Sequence, residues 1–258
     1  MSSKKTCLVL AADEHVLDYA KTLLKSVSAN YHGIENLKVF LLSPERVHSR
    51  QAEFSFHNLD VEFAYPKGVR PHEEDGFIGK MYKNKHFTGT SIYRYYVGSV
   101  CSEYEKAVYI DVDCIIVRDI QPLLDHELIN APIAAFPEMH LTYSDNPTFK
   151  NTAVFNSGVM VINLDYFREN NIEGVLMETS RTMTDWVGYA DQDVFNAVFK
   201  NNWSVLSIDF NYLVNIYPGV AVPNPLVVHF AGHNKPWKSS TPNTKWKQLW
   251  ETYHAAKI

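Results

Sequence analysis

Hydrophobic residues along the chain fall into two alternating spacings. The runs TCLVLA at residues 6–11 and LKVFLL at residues 37–42 are short, rich in branched side chains and bounded by polar residues, which predicts buried strands. Between them Leu17, Ala20, Leu23, Leu24 and Val27 recur every three or four positions, the signature of a helix with one apolar face. Pro44 opens a second predicted helix that runs to about His57, and residues 61–65 predict a third strand. Strands alternating with helices at these lengths predict an α/β fold with a mostly parallel central sheet flanked by helices. Ligands of such sheets bind beyond the carboxyl ends of the strands, where Asp13 would lie.

The pattern breaks at residues 66–88, a predicted long loop with Gly68, Gly76, Gly79 and lysines at 80, 83 and 85. Residues 91–101 predict a helix carrying Tyr93, Arg94, Tyr95 and Tyr96, and residues 132–136 a short strand. Residues 137–152 form a second candidate loop, 155–163 a strand with an Asn-Ser-Gly entrance, and 166–186 a mostly helical stretch. Residues 191–199 predict a shorter helix with Asp191 and Asp193 in its first turn, where acidic groups suit the positive helix end. After a strand at 226–230 comes a tail in which Trp246, Leu249, Trp250 and Tyr253 share one helical face. No repeat, low-complexity tract or linker interrupts the chain, so residues 1–258 are expected to form a single domain.

Composition narrows the function. With 46% hydrophobic and 21% charged residues in 258, the chain is ordinary globular material that can bury a large core without disulfides. A net charge of -5 and the lack of any Lys/Arg cluster argue against nucleic acid as a partner. Cys7, Cys101 and Cys114 are odd in number and lack metal or redox spacing, which fits buried free thiols in a reducing compartment. The apolar run near the start is too short for a signal-peptide core, and no run reaches the ~18 residues of a membrane span. A cytoplasmic location is expected. The tail from residue 245 could make peripheral membrane contact, but its lysines are few and packing against the domain is the favoured use of its apolar face.

The stretch VYIDVDCIIV, residues 108–117, is the chemically unusual one. Two strand-like runs, 108–110 and 115–117, are separated by Asp111, Val112 and Asp113. A buried ionised carboxylate costs several kcal/mol unless paired or metal-bound. A strand that ends at the protein's edge and presents Asp-x-Asp to a divalent cation, and through it to a phosphate-bearing ligand, removes that cost. Three further segments accompany it: AADEH at 11–15, YADQD at 189–193 and HFAGHNKPW at 229–237, with FNSGVMVINL at 155–164 between them.

In this order and at these separations, the segments resemble glycosyltransferase family 8, the retaining nucleotide-sugar transferases that include lipooligosaccharide galactosyltransferases and glycogenin. The resemblance runs from about Thr6 to Trp237. It implies a GT-A type fold, a UDP-sugar donor, a glycan, lipid-linked or protein acceptor, and manganese, or else magnesium, held by Asp111, Asp113 and His229. Two carboxylates and an imidazole make a mixed oxygen and nitrogen site that manganese tolerates better than magnesium does. The resemblance gives Gly232 and Lys235 to the diphosphate, where glycine permits close backbone approach and lysine supplies a point charge. It gives Ala11 and Asp13 to the uracil, with His15 standing where the family often has asparagine, and places Arg94 near the donor sugar and phosphate. Asn156, Asp191 and Gln192 match residues that contact the donor sugar or lie near its reactive carbon. Same-face attack is the expected route to retention, because neither Asp191 nor Gln192 is an obvious strong base. Rival readings are a sugar nucleotidyltransferase, whose Gly-rich N-terminal loop residues 11–20 lack, a non-catalytic nucleotide-sugar binder, and a self-glucosylating glycogenin-like protein.

Overall fold

The computed structural model describes residues 6–67, 89–138, 146–183 and 188–257. Most of the loop expected at 66–88, with its glycines and lysines, lies outside the described residues, as do parts of the segments at 137–152 and 166–186.

Strand β1, Thr6–Ala11, lies at the middle of the main sheet because its apolar residues are buried on both faces. It pairs in parallel with β2, Leu37–Leu42, and with β4, Lys106–Ile110, while β3, Leu59–Ala64, extends the sheet beyond β2. Beyond β4 come β7, Val154–Asn163, then β6, Ile133–Glu138, and β8, Ser204–Val205, giving the order β3-β2-β1-β4-β7-β6-β8. Among the described strands only β7 runs against the rest, so the sheet is mostly parallel, as the alternating spacing predicts. Alternate residues of each strand feed two cores. Leu8, Leu10, Val39, Leu41, Val108 and Ile110 pack on one face, and Cys7, Val9, Phe40, Leu42 and Tyr109 on the other.

The two apolar runs around Asp111 and Asp113 belong to different sheets. The chain leaves the main sheet at Ile110, turns through Asp111-Val112-Asp113, and enters β5, Cys114–Ile116, in a small sheet of order β5-β10-β9. Its other members are β9, Tyr212–Leu213, and β10, Val227–His229. The turn is fixed by Asp111 N–H donating to Gly158 O at 2.8 Å and by Phe230 N–H donating to Asp113 O at 2.9 Å. The Asp-x-Asp segment is thus the hinge by which both sheets meet.

Several helical expectations change in kind. The stretch opened by Pro44 is a 3-10 helix, Glu45–Glu53, with only Val47 buried, too narrow an apolar face to hold a full α-helix. Arg94 rides on a 3-10 helix, Gly89–Tyr96, which passes into one α-turn, Val97–Val100. The stretch at 166–186 divides into Leu164–Glu169 and Ile172–Thr182, broken where Asn171 takes a left-handed conformation. The helix predicted at 191–199 is Asp191–Val198. The tail helix, Lys245–Ala255, packs Trp246 and Trp250 into a core with Tyr212, Val228 and Phe230, so its apolar face is used inside the fold. All three cysteines are buried free thiols. Among the described residues, no helix is long and apolar enough to cross a membrane.

Candidate active site

The chain runs β1, β2, β3 towards one edge of the main sheet and then returns to place β4 on the other side of β1. That reversal makes the carboxyl ends of β1 and β4 a topological switch point, the place where open α/β sheets bind ligands. Ala11 ends β1 and Asp111 follows β4, two strands in register through Val9 and Tyr109. Asp13 is buried just beyond β1. Its Oδ1 accepts from the His15 backbone N–H at 3.0 Å and its Oδ2 from the Thr90 hydroxyl at 3.5 Å, so Asp13 shapes the turn that leaves His15 exposed.

Each of the two hinge carboxylates is anchored by one oxygen. Asp111 Oδ1 accepts from Arg94 Nη2 at 2.8 Å and from the Tyr109 hydroxyl at 2.9 Å, with the guanidinium 4.3 Å from the Tyr109 ring centroid. Asp113 Oδ2 is ion-paired with Lys235, and its Oδ1 lies 3.3 Å from His229 Nε2. Burial pushes the Asp113 carboxyl upward, but the ion-paired Lys235 ammonium counters it, and the group is held well below the usual carboxylate range. Lys235 answers in kind. Burial lowers its pKa, yet Asp113 and Asp111 raise it overall and keep it cationic.

The histidine approaches because residue 158 has no side chain. A Cβ on Gly158 would lie 2.2 Å from His229 Cε1 and 2.8 Å from Asp111 Oδ2, so imidazole and carboxylate close on the same glycine. Asp113, Cys114 and His229 offer ligand atoms within 4.8 Å of one another. Cys114 is buried in apolar packing and its thiol is held well above the ordinary range by burial and by the two aspartates, so it stays neutral. Asp111 stands outside that group, turned towards Arg94, while its second oxygen faces Gly158. Carboxylate oxygens with an imidazole nitrogen, and a glycine that keeps the space open, fit a divalent cation of the manganese or magnesium kind.

The remaining sequence-predicted residues gather at the same place. Asp191 opens its helix 3.2 Å from Arg94 Nη1 and is 4% exposed. Burial raises its pKa to about 6, opposed by Arg94 and reinforced by Asp111. Asn156 and Gln192 are buried and joined, Asn156 Nδ2 donating to Gln192 Oε1 at 3.1 Å. The loop bearing Lys235 is closed by the Thr241 hydroxyl donating to Lys235 O at 2.6 Å and by Asn215 Nδ2 donating to Asn234 O at 2.7 Å. Gly232 within it has a φ of +80°, a conformation that glycine takes at no cost. Trp237 stacks on Tyr19 at 4.0 Å and pins the loop to the first helix. Sequence reasoning missed Asn211, Gly158 as a spacer for the histidine, and Tyr109 as an anchor for Asp111. An asparagine at the mouth of a two-residue strand carries no local signal, whereas Gly158 lay inside a segment already singled out.

A mostly parallel sheet with an acidic pair, a histidine and a lysine at its switch point defines a GT-A type glycosyltransferase fold. The family model described as glycosyl transferase family 8 matches residues 7–241, and the chain belongs to that family. It is similar to the glycosyltransferase GlyA of Streptococcus pneumoniae, with 25% identity over 98% of this chain and 35% of GlyA. Similarity to GlyF of the same organism is 24% over 95% of this chain and 60% of GlyF, so the chain spans from a third to three fifths of these relatives. Among solved structures, the galactosyltransferase LgtC in complex with donor and acceptor sugar analogs superposes with a TM-score of 0.76 at 21% identity, covering 97% of this chain and 95% of LgtC. The S. pneumoniae glycosyltransferase GlyE gives 0.72 at 21% identity, over 98% of this chain and 62% of GlyE.

Proposed function

We propose that residues 1–258 act as one GT-A domain that moves a hexose or pentose from a UDP-sugar to a hydroxyl of a glycan, lipid-linked or protein acceptor, with retention and with a divalent metal. The observation that supports this most is the convergence of Asp111, Asp113, His229 and Lys235 from the β4–β5 hinge, β10 and the loop after it onto one cluster. Held by Asp111, Asp113 and His229, manganese or magnesium would supply the positive charge and Lewis acidity that a diphosphate leaving group needs. Lys235, kept protonated by Asp113, meets the negative charge that grows on the leaving diphosphate, and Gly232 lets the backbone approach it. Ala11, Asp13 and His15 form the neighbouring wall for the nucleobase. Arg94 braces Asp111 and Asp191 together, which keeps the acidic cluster in place when no cation neutralises it.

Asp191 is 4% exposed and enclosed beside Arg94, 3.2 Å from its Nη1, which leaves it little room to swing onto a sugar carbon as a nucleophile. That favours same-face attack, in which the acceptor hydroxyl gives its proton to the departing diphosphate oxygen while Asn156, Asp191 and Gln192 orient the sugar. The test is a panel of UDP-sugars incubated with manganese and scored for diphosphate release, followed by NMR of the anomeric centre in any product. One donor should be consumed with its configuration kept. Inversion, or turnover undiminished by chelator and in Asp113→Asn, overturns the reading.

A further inference from the structure

His229 is oriented by a chain of buried amides whose polarity can be read from two backbone groups. Asn211 directly precedes β9, whose Leu213 is level with His229 of β10, and it is 0% exposed. Its Oδ1 lies 2.9 Å from His229 Nδ1, and its Nδ2 donates to Asn156 Oδ1 at 3.0 Å. The two ends of an amide look alike in shape, but a backbone N–H can only donate. Ser157 N–H donates to Gln192 Oε1 at 3.1 Å, so that atom is oxygen, and Asn156 must turn its Nδ2 to it. Asn156 Oδ1 then receives Gly158 N–H at 3.1 Å, which agrees, and Asn211 must turn its own Nδ2 to the same oxygen. Asn211 Oδ1 is left facing the imidazole.

An oxygen opposite Nδ1 requires a proton there. In the neutral ring Nε2 therefore carries the lone pair, directed at Asp113 Oδ1 3.3 Å away. A lone pair facing a carboxylate oxygen is repulsive unless positive charge sits between them, so the chain of amides prepares the pair for a cation. A metal-ligating histidine needs its other ring nitrogen fixed by an acceptor. We propose that Asn211 is a positioning residue, locked by Gln192, Asn156 and the Ser157 and Gly158 amides, that sets the tautomer of His229 so that Nε2 is kept for the metal. The tautomer claim stands on the apo protein; only its consequence for affinity rests on the metal reading above.

The experiment is two-bond proton–nitrogen correlation NMR of the metal-free protein at pH 9, far above the reference histidine pKa of about 6.5, with His229→Gln assigning the signals. The wild type should show the proton on Nδ1. Asn211→Leu should move it to Nε2, towards Asp113, and lower manganese affinity ten- to a hundredfold as counted by the electron paramagnetic resonance of free manganese. Asn211→Asp, which keeps an acceptor opposite Nδ1, should retain the Nδ1 proton. An Nε2 proton in the wild type overturns the proposal, and that spectrum decides even if Asn211→Leu does not fold. An unmoved proton or unchanged affinity in a folded Asn211→Leu overturns it as well. Failure of the wild type to bind manganese would overturn the metal reading and leave the tautomer result standing.

Discussion

Gly158 is the residue on which the site's closeness depends, because the strand carrying it is buried along its length and cannot retreat. A methyl group 2.2 Å from His229 Cε1 must displace either the ring or β7, and overpacking of this kind costs about 1–3 kcal/mol. Gly158→Ala is expected to lose that much stability in urea unfolding and to lose metal-dependent turnover. Gly219→Ala, with nothing within 4 Å of the added carbon, should change neither by a measurable amount. Asp191 makes a prediction of opposite sign. Its raised pKa, about 6 against an ordinary 3.8, means that the native state holds a proton the unfolded chain has released between those values. Wild-type stability from this group is therefore greatest below pH 3.8 and falls as pH rises to about 6, by about 3 kcal/mol in all. Asp191→Asn should be more stable than wild type at pH 7.5, and the difference should vanish towards pH 4. A difference that is flat with pH would mean that Asp191 is not buried as an acid. At this scale the sequence was informative about Asp111 and Asp113, carboxylates set between apolar runs whose placement demands a reason, whereas His229 was legible only through the resemblance of its whole segment. The sequence was silent on Asn211, whose partners come from β7 and β10, far away along the chain.

Strands were easier to read than helices for a physical reason. A strand buried on both faces, such as β1 or β7, must be apolar at almost every position, and that leaves a dense local mark. The 3-10 helix Glu45–Glu53 buries one residue, so a helical spacing there had little packing behind it. β8 and β9 are two residues each, too short for any periodicity, and exist because the neighbouring strands offer them hydrogen bonds. The tail helix shows the converse. Its aromatic stripe was legible and the structure uses it, with Trp250 buried at 3% exposure and stacked against His254 at 4.7 Å. Lys247 donates to the carbonyls of Lys238 and Thr241, tying the helix to the end of the Lys235 loop. Trp250→Ala should cost about 3–5 kcal/mol in chemical denaturation. Because Trp237 also packs in this aromatic group, the variant should weaken UDP binding at temperatures where the body of the protein is still folded. Calorimetric titration with UDP checks this, and an unchanged affinity would show that the tail serves stability alone.

At the scale of the molecule, the candidate site is a junction. The main sheet supplies Gly158, the hinge between the sheets supplies Asp111 and Asp113, the small sheet supplies His229, and the loop beyond supplies Lys235, so the parts meet only when both sheets are formed and docked. A ligand that spans the junction binds the folded state and not the unfolded chain, and stabilises it by RT ln(1 + [L]/Kd), about 2.7 kcal/mol at a hundred times Kd. For a protein of this size that corresponds to about 5–10 °C in thermal midpoint. UDP with manganese is expected to reach this range, while UDP alone should do much less. On the proposed reading, a diphosphate without a cation would face Asp111 and Asp113, and Lys235 is already engaged by Asp113. Manganese alone should produce a small rise. The joint shift should therefore exceed the sum of the separate shifts, which is the thermal signature of two ligands that share a charge-neutralised site. In Asp113→Asn the excess should disappear, each ligand giving at most its own small effect. Differential scanning fluorimetry over the four combinations, with both proteins at fixed pH and salt, reads this directly. Additive shifts in the wild type would mean that metal and diphosphate bind independently, and the acidic hinge would then lose its place as the bridge between them.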